Sequence, residues 1–563
     1  MSERTFWGGA VLITLLFLSI PRAHATQSVI YSRHNLSVTG PGSVRATSID
    51  QPVCTFCHTP HREGQGQPLW QAMSRIVYTT YDSSTLKAEV GQPTGVSRLC
   101  LSCHDGTIAL SMQQGRTVPV PFRGGTTRMP SGPSNLGLDL SDDHPISFVY
   151  DSSLAGRNGQ LTYPSVLRGT PVQLDKTGQL QCTSCHDAHD DQYGKFLVMD
   201  NRFSALCTTC HTIDFWSLTS HRSSSATWNQ GSPDPWPHTS YTTVATNGCE
   251  NCHRPHSARG SEWLLNFDRE EDNCFACHNG NVAAVNIERE FNKPSRHPIR
   301  ENRGIHEPNE DPLWAPRHVE CQDCHNPHAS NAMPARPPLA PGSLSQLVGI
   351  SSSGTPVEPL SFEYELCYRC HADNPGNESP VVVRQFPEVN CRQEFTASNM
   401  SYHPVETIGK NRDVPSLIIP YTVTSRVACT DCHNSDGGSQ SFGPQGPHGS
   451  LWRPILERQL STTDLTSENA QAYALCYKCH NRSSILSDQS FTEHRKHVVE
   501  ERTPCTACHD PHGVAAFTHL INFDARIVFS NDRGEMRFED LGRMRGACSL
   551  KCHGENHAFR TYP

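Results

Sequence analysis

Twelve histidines in this chain each follow a closely spaced pair of cysteines, and these triplets are where the sequence concentrates reactive groups. Eleven are written Cys-x-x-Cys-His: Cys54, Cys57 and His58; Cys100, Cys103 and His104; Cys182, Cys185 and His186; Cys207, Cys210 and His211; Cys249, Cys252 and His253; Cys274, Cys277 and His278; Cys321, Cys324 and His325; Cys367, Cys370 and His371; Cys429, Cys432 and His433; Cys476, Cys479 and His480; Cys505, Cys508 and His509. Random order at this composition would give about 0.06 copies, so the pattern is not accidental. Two thiols three positions apart can each add to a vinyl group of one porphyrin, and the adjacent histidine then lies under the iron as a proximal ligand. Zinc needs no histidine directly after the second cysteine. Thioredoxin-like redox chemistry needs a βαβ context that is not legible here. Each triplet therefore specifies one covalently attached haem c.

A twelfth triplet, Cys548, Cys552 and His553, has three residues between its thiols instead of two. The extra residue must bulge out if both thioethers form. A disulfide or a zinc site would leave His553 unexplained, so haem is the expectation here too. Twelve sites use 24 of the 25 cysteines. The remainder, Cys391, is expected to be a buried or inert thiol.

A second axial ligand is needed at each iron. Of 31 histidines, setting aside His24 and the twelve proximal ones leaves 18 for twelve positions. Methionines are fewer and keep no fixed relation to the motifs, so bis-histidine ligation and low reduction potentials are expected. Five histidines follow a proximal one by three residues: His61, His189, His256, His328 and His512. Such a residue cannot cross to the distal face of its own haem and is free to bind a neighbour. A sixth, His448, is displaced by an insertion after His433. A second class lies upstream of alternate motifs: His144, His297 and His403, with His34, His238 and His497 as less patterned equivalents. These are assigned to the first haem of each unit. His221 competes with His238, and His494 with His497. The others, His306, His318, His519 and His557, read as surface or supporting residues.

Motifs followed by the extra histidine alternate with motifs preceded by leucine, at Leu99, Leu206, Leu366 and Leu475. The sites therefore pair as 54/100, 182/207, 249/274, 321/367, 429/476 and 505/548. This gives six dihaem units, over 26–130, 131–215, 216–285, 286–375, 376–485 and 486–563. Spacing within a unit is 25 residues in units two and three and 43 to 47 elsewhere, the longer form carrying an inserted loop. Apolar segments at Leu197-Val198-Met199, Leu264-Leu265 and Leu520-Ile521 follow the extra histidine and are expected to pack on haem. Repeats that cannot bury a face alone gain stability by stacking, which predicts an elongated array. Little regular secondary structure is expected: short helices at the motifs, long loops such as Val118 to Asp142 and Ala335 to Pro359, scattered two-stranded pieces near Leu417 to Val427, and no large sheet.

The bulk composition agrees with an interior not built from aliphatic side chains. Hydrophobic residues are 36%, while Gly and Pro number 39 and 41, so periodic apolar stripes are scarce. The net charge of −9 gives no reason to expect nucleic acid. At the start, Arg4, an uncharged run from Phe6 to Ile20 and Ala23-His24-Ala25 read as a secretory signal peptide over residues 1–25. The run is shorter than the roughly 20 residues of a membrane span. Export and a soluble mature chain follow.

The alternation of CHxPH with Leu-Cys-x-x-Cys-His resembles the doubled-CxxCH family of multihaem cytochromes from metal-respiring bacteria, over essentially the whole mature chain. His34-Asn35-Leu36, CTFCHTPH, Pro68-Leu69-Trp70 and CLSCHDG resemble one recurring opening of that family. The end, CTACHDPHG to CSLKCHGENH, is similar to its usual last unit, including the three-residue spacing. Unit five departs from the pattern at Asn434. The resemblance implies about twelve stacked bis-histidine haems and electron transfer in the periplasm or outside the cell, with other cytochromes, metal ions or minerals as partners. An electron carrier, not an enzyme, is the expectation. Two other readings are a multihaem reductase with one open-coordinate iron, for which the site at His553 is the first place to look, and a filament-forming conductor built by self-association.

Overall fold

The computed structural model describes residues 28–49, 52–58, 76–110, 120–301, 306–307, 310–311, 313–373, 380–437 and 443–562. The expected signal peptide, His61 and the Pro68-Leu69-Trp70 segment lie outside the described residues. Among those described, no helix is long and apolar enough to cross a membrane.

Helices form where the cysteine motifs require them. A thiol pair three positions apart faces one way only if its backbone makes a helical turn. The first motif of each unit does little more than that. Val53–Phe56, Gly248–Asn251, Cys429–Asp431 and Cys505–Ala507 are single 3₁₀ turns, and Cys182–Cys185 and Cys321–Cys324 are single α turns. Second motifs of the first four units end longer helices, Gly95–His104, Ala205–Cys210, Glu270–His278 and Glu363–His371, while that of unit five is a single 3₁₀ turn, Cys476–Lys478. The longest of these has ten residues, and its buried face is Ser97, Leu99, Leu101 and Ser102. In many motifs the turn closes in the same way. The N–H of the proximal histidine donates to the carbonyl of the first cysteine, at 2.8 to 3.0 Å for His58, His186, His211, His253, His325, His433, His480 and His509.

Strands are mostly two-residue pairs, such as Phe148–Val149 with Gln179–Leu180 and Ser401–Tyr402 with Gly513–Val514. The larger exception is at the carboxyl end. There Gly546–Cys552 pairs antiparallel with Val528–Phe529, Arg537–Asp540 and Glu555–Tyr562 in a four-stranded sheet. The strands expected near Leu417 to Val427 do not form. Turns occupy that stretch, and only Leu417 bridges another residue, His480. The apolar segments after the extra histidines have a backbone role too: Leu197, Leu265, Leu456 and Ile521 bridge His186, His253, His433 and His509.

Aliphatic burial is divided into small clusters. The largest, Ala507, Ile521, Phe523, Ile527, Val528, Phe538 and Leu550, lies under the terminal sheet. Others gather around Ile350 and Tyr368 or Phe148 and Leu154. The fold is a loop-rich scaffold of short turns, consistent with the expectation from composition.

Candidate haem-binding array

The proximal histidines face other imidazoles. Among the described residues, ten such pairs have ring centres 6.0 to 6.4 Å apart. That is too far for stacking contact. Two metal–imidazole bonds of about 2 Å, plus roughly 1.1 Å from each nitrogen to its ring centre, require about 6.2 Å. The residues present thus fit an iron held between two rings at each pair.

The partners follow a rule along the chain. First-motif histidines face the extra histidine of the next unit: His58 faces His189, His186 faces His256, His253 faces His328, His325 faces His448 and His433 faces His512. Second-motif histidines face the upstream histidine of their own unit: His104 faces His34, His211 faces His144, His278 faces His221 and His371 faces His297. His403 is the electrostatic neighbour of His480, as the same rule requires.

Three expectations change. In units one to five the upstream histidines stand opposite the second motif, not the first. In unit three, His221 takes that place, while His238 turns its Nε2 to the Glu250 carbonyl at 3.1 Å. In unit six, the first-motif His509 faces His494. His497 instead puts Nδ1 on the Glu493 carbonyl at 2.8 Å.

The physical reason for the first change is a recurring latch. Nδ1 of His34, His221, His297 and His403 contacts the carbonyl of Ala188, Pro327, Pro447 and Pro511, the residue just before the next unit's extra histidine. In unit two the His144 N–H donates to the Pro255 carbonyl at 2.9 Å, just before His256. Upstream and extra histidines are therefore carried side by side, one per motif of the unit beneath them. The Pro of each CHxPH string, lacking its own N–H, presents a carbonyl at that point.

Proximal rings are fixed in the same manner. Nδ1 of His186, His253, His325, His433 and His509 contacts the carbonyls of Lys195, Trp263, Ser343, Pro454 and His519 at 2.8 to 3.0 Å. A donor at Nδ1 leaves the Nε2 lone pair facing the gap, the form in which imidazole binds a metal. Burial keeps these rings neutral by pushing His186, His211, His278, His371 and His433 down to about 4. His512 goes the other way: burial opposes its charge, but Glu394, 2.9 Å from Nδ1, outweighs it and holds the ring at about 9. Cys391 lies beside that carboxylate, where burial raises its thiol above the ordinary range.

Successive motifs touch. The first-cysteine sulfurs are neighbours across unit boundaries in the pairs Cys100 with Cys182, Cys207 with Cys249, Cys274 with Cys321, Cys367 with Cys429 and Cys476 with Cys505. Within units the second cysteines are electrostatic neighbours: Cys57 with Cys103, Cys185 with Cys210, Cys252 with Cys277, Cys324 with Cys370 and Cys432 with Cys479. A buried polar side chain aligns four of the boundary contacts. The Ser97 and Ser204 hydroxyls accept the N–H of Cys182 and Cys249 at 3.0 and 2.7 Å. The Glu270 and Glu363 carboxylates accept the N–H of Gln322 and Thr430 at 2.8 and 2.9 Å. Sequence reading missed these residues, although each lies three or four positions before the first cysteine of a second motif.

The twelfth triplet is built differently. Cys548 and Cys552 lie on the strand Gly546–Cys552, whose register with the last strand slips between Cys548 and Leu550. The slip absorbs the extra residue as a β-bulge does. His553 turns its Nε2 to Asp464, 3.0 Å from Oδ1, not to an imidazole.

Comparison with known proteins agrees with the motif chemistry. The doubled CXXCH motif family matches residues 175–214 and 242–283. These stretches hold the 182/207 and 249/274 pairs. No curated protein matches the sequence. The double motifs, the facing imidazoles and the family match together support a multihaem c-type cytochrome with covalently bound haem c.

Proposed function

We propose that this chain binds about twelve haems as a continuous electron conduit, with the facing imidazoles as the two axial ligands of each iron. The observation that carries this reading is the set of ten imidazole pairs at one iron-sized spacing, ordered as the motifs are ordered. When bound, each haem would supply a reversible one-electron iron couple, at low potential with two histidines. The chain's own residues do the rest. Nδ1 anchors orient the rings, burial holds rings such as His186 and His211 neutral while Glu394 offsets charge on His512, and thioether positions at successive motifs keep neighbouring sites adjacent. Two protein ligands at each iron leave little to rearrange when its valence changes.

The leader over residues 1–25 supports export, to the periplasm or the cell surface. Other cytochromes, metal ions or minerals are the partners this chemistry suits, and self-association into filaments would extend the same path. A second reading rests on His553. An imidazole engaged by Asp464 would leave the last iron short of a protein ligand, as a reductase needs.

Intact mass of the exported protein together with its ferric spectrum tests both. Twelve haems, all low-spin, are expected. Fewer than eleven haems would sink the conduit, and a high-spin fraction equal to one haem would move the last site to the reductase reading.

A further inference from the structure

Between units three and four, outside every imidazole pair, His306, Glu310, His318 and Asp323 bring one ligand atom each within 4.8 Å of the others. Three motif-bearing helices meet there. Asp323 belongs to Cys321–Cys324, Glu270 of Glu270–His278 accepts the His306 N–H at 3.0 Å, and Arg369 of Glu363–His371 donates to the Asp323 carbonyl at 2.7 Å.

The spacing within the cluster is unlike hydrogen bonding. His306 Nδ1 is 3.3 Å from Asp323 Oδ1, and His318 Nε2 is 3.3 Å from Glu310 Oε2 and 4.0 Å from Asp323 Oδ2. Glu320 Oε2 lies 3.8 Å from both ring nitrogens. Charge-assisted N–H···O bonds are about 2.7–2.9 Å long. The edges of a tetrahedron with zinc-type bonds of about 2.0–2.2 Å measure about 3.3–3.6 Å. His306 Nδ1 is buried without a hydrogen-bond partner. His318 is set as metal-binding histidines are: its Nδ1 lies 2.8 Å from the Pro316 carbonyl, so that Nε2 turns its lone pair toward the carboxylates.

Charge points the same way. Glu310, Glu320 and Asp323 are 5 to 16% exposed at their side chains, and the guanidinium beside them, Arg369, reaches Glu310 and Asp323 only at 3.5 and 3.7 Å. Carboxylates at that burial are stabilised by positive charge held among them. A divalent ion with neutral imidazoles would supply it, and so would protonation of both rings.

We propose that His306, Glu310, His318 and Asp323 bind a divalent ion of the zinc class. Two imidazoles and two carboxylates suit that metal, and four protein ligands make the site structural. The ion ties the loop carrying His306 and His318 onto the turn that holds Cys321 and Cys324, fixing the junction between units three and four.

The test uses the haem-loaded protein, stripped of loose metal with a mild chelator, exposed to Zn²⁺ and desalted. Zinc is counted by mass spectrometry of the elements and haem by pyridine haemochrome. One zinc per chain is expected for the unaltered protein, with loss of that zinc in His318→Ala and separately in Glu310→Gln, at unchanged haem content. Two independent variants guard against misfolding of either one. Zinc retention well below one per chain in the unaltered protein, or equal retention in all three, overturns the site and assigns the cluster to protonated imidazoles. A zinc absorption edge without imidazole scattering does the same.

Discussion

At the scale of the residue, the imidazole pairs fall into two geometric classes. Rings facing first-motif histidines are inclined at 17 to 47°. Rings facing second-motif histidines are inclined at 55 to 88°. The mutual orientation of axial imidazoles sets the splitting of the iron d orbitals, so the ferric protein should show two low-spin resonance types: an ordinary rhombic one from first motifs and a strongly anisotropic one from second motifs. The pair His221 and His278, at 88°, belongs to the second type. His221→Ala should remove one anisotropic component and create one high-spin haem, whereas His238→Ala should leave the electron paramagnetic resonance spectrum unchanged. A high-spin signal from the His238 variant would reverse the choice between them.

At the scale of the element, the scaffold depends on side chains that hold one motif turn against the next. Ser204 is fully buried, accepts the Cys249 N–H at 2.7 Å and donates to the Asn247 carbonyl at 3.2 Å. It lies next to the helix Ala205–Cys210 while satisfying an orphan donor of the following turn. Ser204→Ala should destabilise the protein by about 1–2 kcal/mol, because the loss strands a buried donor. Chemical denaturation of the haem-loaded protein checks this. Gln181, also buried, makes the equivalent junction between units one and two: its Oε1 accepts from Ser97 and Ser147. Neither side chain touches a proximal histidine, so spectra should change less than stability does.

At the scale of the whole molecule, the units are not separable. Each of the first five lends its first-motif histidine to a ring from the next unit, as His433 does to His512. Buried side chains cross the same boundaries, as Ser204 does to the Cys249 N–H. Stability is therefore passed between neighbours, as in stacked repeats. Truncation after residue 485 should cost more than the haems of unit six. It should also leave the His433 haem without His512 and produce a single high-spin site, read from the ferric spectrum. A fully low-spin truncated protein would mean that the ligand comes from within unit five.

The thiol pairs and proximal histidines were legible because covalent attachment is a local matter of five residues, and composition alone pointed to a loop-rich chain without an aliphatic core. The alternation of motifs was legible for the same reason, since CHxPH and Leu-Cys recur at short range. What faces each ring was not. His221 and His238 are equally plausible on spacing, and only the Pro327 carbonyl, 106 residues from His221, selects between them. The extra histidines read as ligands to a neighbour, and that neighbour lies in the preceding unit, as His189 faces His58 and His256 faces His186. His494, not His497, faces His509, and spacing alone does not select between the two. The twelfth triplet lies on a strand that pairs in hairpins with its sequence neighbours Arg537–Asp540 and Glu555–Tyr562. Sequence determined which atoms could bind haem; tertiary structure decided which distant imidazole meets each one, because that choice is made by backbone carbonyls brought close only when the chain folds.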